Sequence, residues 1–243
     1  MASFADHLTV LNGFLAKADS KDKLTALIQY ACLYISGGEA GNIKKIQASV
    51  TAARKVFRVM RPLEVISPLL LQPGLSGKAP VTLELINKVK TLCMATYFAA
   101  DHINWAWQIG ILNDKAIGEK FGRISLFGWG IGSILTVVGE AMQMNAQLRA
   151  AADAVAVEGR RADESEADYE RRLTAAEAAA AAAQSKARQH LFVLAHGGVQ
   201  AILAFGLLGK IKLSPRTTGL LGVTASVMNC YLLFPAYPKA AKK

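Results

Sequence analysis

Long apolar runs in the second half of the chain restrict what it can fold into. Residues 124–144, 191–209 and 217–237 each extend over about 20 residues, and Glu140 is the single formal charge among them. A hydrocarbon layer about 30 Å thick requires a run of that length, because a helix rises 1.5 Å per residue. Three buried helices of this length are improbable in a soluble domain of 243 residues. No segment alternates as a half-buried strand does, so the sequence predicts an all-α integral membrane protein.

The chain divides into four regions, with amphipathic helices near the N-terminus and several hydrophobic membrane helices near the C-terminus. The predicted regions are a cytosol-facing helical region (1–90), hydrophobic membrane helices (91–144), a charged Ala-rich helical interval (145–190), and a hydrophobic hairpin or pair of spans with a basic tail (191–243). Two, three or four membrane crossings fit this division, and the positive-inside rule does not choose among them.

Residues 91–112 are long enough to cross a bilayer but carry Asp101 and His102 at their midpoint. Ionisable groups inside a membrane are candidates for a function, so this pair is a candidate lining of a pore. The alternative is that the segment lies at the interface, where Trp105 and Trp107 favour the headgroup level. The sequence leaves both interpretations open.

A short helix is predicted for the segment "DSKDKLTALIQYACLYISGG", residues 19–38. Asp19 or Ser20 can cap its N-terminus, Asp22 suits its first turn, and Gly37-Gly38 ends it. The segment is too short to span a bilayer.

The segment "IKKIQASVTAARKVFRVMR", residues 43–61, has six basic residues and no acidic residue. On a helix its apolar residues fall within one face about 100° wide, and most of its basic residues gather on an adjoining face. This pattern favours a cationic helix in the surface of an anionic phospholipid membrane. A helix–helix packing seam has the same spacing, while nucleic acid is disfavoured because no aromatic residues alternate with the basic ones. The candidate membrane-binding residues are Lys44, Lys45, Ile46, Val50, Arg54, Lys55, Phe57, Arg58 and Met60.

Two further patterns concern assembly and chemistry. Gly128 and Gly132 are four residues apart in an apolar segment, and small residues at that spacing are candidates for a self-association face. No nucleophile elbow, phosphate loop or zinc pattern occurs, and the three cysteines are isolated, so neither an enzyme nor a metal or cofactor site is predicted.

Four blocks of this sequence, taken in order, resemble the peroxin eleven family of peroxisomal membrane proteins. They are "KDKLTALIQYACLY", "ARKVFRVMRPLE", "YFAADHINWAWQIGIL" and "GLLGVTASVMNCY". The long charged, Ala-rich interval at 145–190 departs from the family pattern.

The resemblance implies an integral protein of the peroxisomal membrane that elongates peroxisomes and promotes their fission, with its N-terminus in the cytosol. It also implies self-association into homo-oligomers, and a membrane fission adaptor and a dynamin-like GTPase as partners. The alternative function that it allows is a peroxisomal channel for small metabolites. A third, plainer alternative is a scaffold whose amphipathic helix binds a protein partner.

Overall fold

The computed structural model describes residues 3–156, 159–160 and 163–236, and within these residues the chain is helical without any strand. The prediction of an all-α fold is confirmed. The helices of this described part are α1 (Phe4–Leu15), α2 (Ala18–Ser36), α3 (Asn42–Val56), α4 (Arg61–Leu71), α5 (Val81–Gln108), α6 (Lys115–Val155), α7 (Glu166–Leu207) and α8 (Pro215–Leu233).

The two longest helices, α6 and α7, pack against each other, and α5 packs along α6. At 41 and 42 residues, α6 and α7 are each about 60 Å long. By length and composition both could cross a membrane, and they are the two helices of the described part that pass this test. The charged interval predicted at 145–190 supplies the C-terminal end of α6 and the N-terminal half of α7, so the apolar spans continue into polar extensions.

The third apolar run, residues 217–237, forms α8 as far as Leu233, and Tyr237 lies outside the described residues. One side of α8 packs against α2 in the N-terminal region. Gly222 makes this approach close, since a Cβ atom there would lie 2.0 Å from the ring of Tyr30. Ala26 and Tyr30 of α2 join Leu203 of α7 and Ala225 of α8 in one buried cluster. The N-terminal and C-terminal regions therefore share a core.

The predicted amphipathic segment 43–61 is shorter as a helix than its pattern indicates. Helix α3 ends at Val56, and a turn over residues 57–60 leads into α4. Pro62 lies in the first turn of α4. A backbone N–H in the first turn has no partner within the helix, so the missing N–H of proline costs no hydrogen bond there. The turn divides the predicted segment between α3 and the start of α4.

Gly128 and Gly132, the candidate self-association pair, lie on the side of α6 that packs against α5 of the same chain. A Cβ atom on Gly128 would lie 2.7 Å from the carbonyl oxygen of Cys93, and one on Gly132 would lie 2.9 Å from the sulfur of Met94. The close approach that small residues permit is thus used within the chain. A role of the pair in self-association stays a prediction.

This packing predicts opposite effects for the same substitution at two helical glycines. Gly128→Ala forces the backbones of α5 and α6 apart and costs about 1–3 kcal/mol, because a backbone carbonyl cannot rotate out of the way. Gly198→Ala on α7 meets no atom within 4 Å, so it keeps only the gain in helix propensity, about 1 kcal/mol. Thermal unfolding of the detergent-solubilised chain measures both. Equal midpoints for the two variants would contradict the α5–α6 contact.

Candidate membrane interface and its ionic anchor

The basic side of α3 faces the interior of the protein. Arg54 and Lys55 lie in the last turn of the helix, and Arg58 follows in the turn toward α4. The side chains of Arg54 and Lys55 are 12% and 13% exposed, and that of Arg58 is 7% exposed. Charges buried to this extent persist only when carboxylates pair with them.

Asp22 of α2 is the carboxylate that holds two of these cations. Arg58 donates to both of its oxygens, from Nε to Oδ1 at 2.8 Å and from Nη2 to Oδ2 at 3.1 Å. Arg54 Nε donates to Oδ1 at 3.0 Å, and Lys23 Nζ donates to Oδ2 at 3.1 Å. Asp22 itself is 1% exposed, so its charge is balanced entirely by these neighbours.

Asp101 of α5 is the second buried carboxylate of the cluster. Lys55 Nζ forms an ion pair with its Oδ1 atom, and Arg58 Nη1 lies 3.5 Å from its Oδ2 atom. Arg58 Nη1 also donates to the hydroxyl of Tyr97 at 2.9 Å. Because Arg58 contacts both Asp22 and Asp101, it links α2 to α5 through the turn that follows α3. We call Asp22, Arg54, Lys55, Arg58 and Asp101 the ionic anchor.

A peripheral ion pair extends the anchor to the start of α4. Arg61 Nη2 lies 3.0 Å from Asp19 Oδ2, and Lys23 Nζ lies 3.6 Å from the other oxygen of Asp19. These side chains are more exposed than those of the anchor, so solvent screens their interaction and it contributes little to stability.

Burial and charge act in opposite directions on the pKa of Asp22. Burial alone would raise the pKa of this carboxyl, but the positive charges of Lys23, Arg58 and Arg54 outweigh burial and hold its pKa well below the usual range. Burial lowers the pKa of Lys55, and the neighbouring Asp101 carboxylate opposes that shift. The ion pairs therefore retain the charged form of Asp22 against its loss of hydration.

The opposite side of α3, together with the turn and the start of α4, exposes apolar side chains to the surroundings. We call this set the α3–α4 apolar surface, and its members are Ile46, Val56, Val59, Met60 and Leu63, each between 49% and 60% exposed. In a soluble protein an amphipathic surface helix buries its apolar side and exposes its charges. Here Arg54, Lys55 and Arg58 are inside and the apolar groups are outside, which is the reverse of that pattern.

The remaining candidate membrane-binding residues differ in their exposure. Lys45 is exposed, and Lys44 is exposed with its Nζ donating to the carbonyl oxygen of Gly38 at 2.9 Å. Val50 and Phe57 are half-buried. Of the five predicted cationic residues, Lys44 and Lys45 thus face outward, whereas the other three belong to the ionic anchor.

Asp101 and His102, the candidate pore-lining pair, have different surroundings. Asp101 is one of the residues that line a cavity of about 620 Å³ between the N-terminal helices and α5–α8. His102 is not among the lining residues, and its Nδ1 atom is hydrogen-bonded to the carbonyl oxygen of Phe98. The structure therefore does not bring the two side chains into one site.

The sequence pattern missed the role of Asp22. It assigned this residue to the first turn of a helix beginning at Asp19 or Ser20, but α2 begins at Ala18 after Lys17 and has no side-chain cap. Two features of the sequence could have indicated this role. One is a carboxylate beside the apolar residues of α2, and the other is a basic helix without acidic residues later in the chain. They indicate complementary charge but not contact, because 36 residues separate Asp22 from Arg58.

The anchor predicts that Asp22→Asn destabilises the chain strongly. The substitution leaves Arg54 and Arg58 buried without their carboxylate, which costs about 3–5 kcal/mol. Asp153→Asn on the exposed end of α6 is the matched control, with an expected effect within about 0.5 kcal/mol. Thermal unfolding in detergent at neutral pH compares the two, and similar midpoints would mean that the anchor contributes nothing.

The lowered pKa of Asp22 also predicts a pH dependence. A carboxyl whose folded pKa lies below its unfolded value of 3.8 contributes its full stability above that value and loses it as the pH falls further. The difference in unfolding midpoint between the native chain and Asp22→Asn should thus shrink as the pH is lowered from 5 toward about 3. A difference that stays constant over this range would contradict the assignment.

Comparisons with known proteins agree with a membrane protein. The family model described as "Peroxisomal biogenesis factor 11 (PEX11)" matches residues 8–234. The chain is 30% identical to "Peroxisomal membrane protein 11C" of Arabidopsis thaliana, over 93% of this chain and 92% of the relative. It is 29% identical to "Peroxisomal membrane protein 11-1" of Oryza sativa subsp. japonica, over 94% of this chain and 92% of the relative.

A more distant relative matches about half of the chain. "Peroxisomal membrane protein PMP30B" of Candida boidinii is 28% identical over 127 residues, which is 48% of this chain and 49% of the relative. No solved structure matches the chain. The family match extends from α1 to the end of α8, through the anchor and both long apolar helices, and the chain therefore belongs to the Peroxisomal biogenesis factor 11 family.

Proposed function

We propose that the chain is a peroxisomal membrane protein that promotes elongation and fission of the organelle by inserting the α3–α4 apolar surface into one leaflet. The observation that carries this proposal is the reversed orientation of α3, because the cations at its C-terminal end pair with Asp22 and Asp101 while its apolar side is exposed. Apolar groups inserted at the depth of the headgroups widen one leaflet and favour curvature.

The ionic anchor supports insertion because it fixes the orientation of α3 before the helix meets a membrane. Val56 and Met60 are 59% and 60% exposed without any rearrangement. Binding therefore requires little further ordering of the helix, which lowers its cost in conformational entropy. Exposed Lys45 and the net charge of +10 favour an anionic leaflet, since each basic residue near such a surface contributes about 1 kcal/mol. The proposed orientation has the N-terminus in the cytosol and the surface in the cytosolic leaflet.

Self-association is the second part of the proposal. Gly128 and Gly132 contact α5, so a second copy would meet α6 on another side. Phe127, Ile131 and Ile134 are 40–44% exposed there at helical spacing. Homo-oligomers would concentrate the inserted surfaces, and a fission adaptor with a dynamin-like GTPase would then sever the elongated membrane.

A channel for small metabolites is the second candidate function. The observation that favours it is the cavity that Asp101 lines, because polar cavities among membrane helices are candidate solute paths. Neutralising Asp101 does not separate the two functions, since it also removes the partner of Lys55 in the anchor. Variants of the exposed apolar surface do separate them.

The test of the proposed function is the double variant Val56→Glu, Met60→Glu in the full chain, reconstituted into vesicles of phosphatidylcholine and phosphatidylserine. Each substitution removes an apolar group whose full burial is worth about 1.5–3 kcal/mol and places a carboxylate near anionic headgroups. We expect tubules, counted by electron microscopy, to be lost while the protein still floats with the vesicles through its membrane helices.

The matched control is Val56→Leu, Met60→Leu, which keeps both positions apolar and should tubulate vesicles as the native chain does. Solute efflux from the same vesicles is measured in parallel. Tubules that persist in the glutamate variant would reject insertion of this surface, and solute efflux that the glutamate variant retains would support the channel.

A further inference from the structure

The cavity of about 620 Å³ lies behind α3, on the side away from the α3–α4 apolar surface. Its walls come from α2, α3, α5, α6, α7 and α8, so every helix of the shared core contributes to it. The volume falls within the range of about 300–1,000 Å³ that is typical of small-molecule sites. Tyr30, Phe98 and Trp129 form apolar parts of the lining beside many polar groups.

Positive charge exceeds negative charge on the cavity wall. The five lining cations are Lys23, Arg54, Lys55, Arg58 and Arg123, and the two lining carboxylates are Asp101 and Glu119. Asp101 is paired with Lys55 inside the protein, whereas Glu119 is exposed and lies 3.6 Å from Lys115, which is also exposed. Asp22 behind the wall is shared by Lys23, Arg54 and Arg58, so it leaves positive charge in excess.

Two guanidinium groups on the wall retain donors without a partner among the described residues. Arg54 uses Nε for Asp22 and Nη1 for Gln29, which leaves its Nη2 atom unused. Arg123 of α6 forms no ion pair or hydrogen bond with any residue that the structure describes. A guanidinium group presents its N–H donors in a planar fork that matches phosphate and carboxylate oxygens.

We propose that this cavity binds a small phosphate monoester, with Arg123 and the free side of Arg54 as its ligands. A monoester carries close to two negative charges at neutral pH. It therefore balances more of the excess positive charge on the wall than a single carboxylate would. Arg54 is half-buried and Arg123 is exposed, so solvent screens the attraction to Arg54 less than the attraction to Arg123. The ester could belong to a soluble metabolite or to the headgroup of a phosphatidic lipid, since both present the same group.

The test uses the full chain in a neutral detergent and glycerol 3-phosphate as the probe, measured by isothermal titration calorimetry. We expect saturable binding of glycerol 3-phosphate and none of glycerol 3-phosphocholine, whose diester carries one negative charge balanced by choline. Arg123→Gln should weaken binding about tenfold or more, through loss of a charge-assisted interaction. Lys120→Gln removes the same charge from a position on the same helix that is exposed like Arg123 but lies outside the lining, and it should change the affinity less than about twofold.

Competition then identifies the source of the phosphate. If phosphatidic acid added to the micelles displaces glycerol 3-phosphate from the native chain, the ligand is the lipid headgroup. If phosphatidic acid leaves the binding of glycerol 3-phosphate unchanged, the ligand is a soluble ester. Absence of saturable binding, or equal losses for Arg123→Gln and Lys120→Gln, would overturn the proposal. Binding in detergent requires no change of membrane shape, so this result is independent of the outcome for vesicle tubulation.

Discussion

The buried carboxylate of Asp22, held between Arg54 and Arg58, is the interaction on which the arrangement of the N-terminal helices depends. A carboxylate that is 1% exposed is stable only with its cations in place, and both cations come from one end of α3. Arg58 reaches Asp101 as well, so the same turn also contacts α5, which packs on the long α6. The position of α3 relative to the membrane helices thus follows from a few charge pairs and not from an apolar core.

This constraint reverses the usual roles of the two sides of an amphipathic helix. Because Arg54 and Lys55 pair inside the protein, the opposite side of α3 faces outward, and Ile46 and Val56 there are 51% and 59% exposed. In water such an exposed set would promote aggregation, whereas beside a bilayer it could be buried among lipids, as we propose. The same ion pairs that would be weak at a wet surface are protected from solvent here, which is why α3 can be held by them.

Apolar length was enough to predict α6 and α7, because a run of about 20 apolar residues has few alternatives to a membrane helix. Apolar length could not predict which side of α3 faces the protein and which side is exposed. Periodicity shows that residues 43–61 have a basic and an apolar side, but both sides of a helix can be the inner one. The contacts with Asp22 and Asp101 make the basic side the inner one. These two residues lie 36 residues before and 43 residues after Arg58, so their contacts depend on the tertiary fold. The placement of Gly128 against Cys93 was hidden for the same reason, since a pair of small residues does not specify its partner.

The ionic anchor and the cavity use the same side chains, which couples the outer surface of α3 to the space behind it. Arg54 and Arg58 pair with Asp22 and also line the cavity wall. An anion bound in the cavity would therefore contact these side chains while α3 is held against α2, and would lose the contacts if α3 moved away. Linkage makes the effect reciprocal: a ligand that prefers the docked helix stabilises it, and a membrane that displaces α3 lowers the affinity of the cavity. An anion in the cavity would therefore hold α3 in the orientation that leaves its apolar surface exposed.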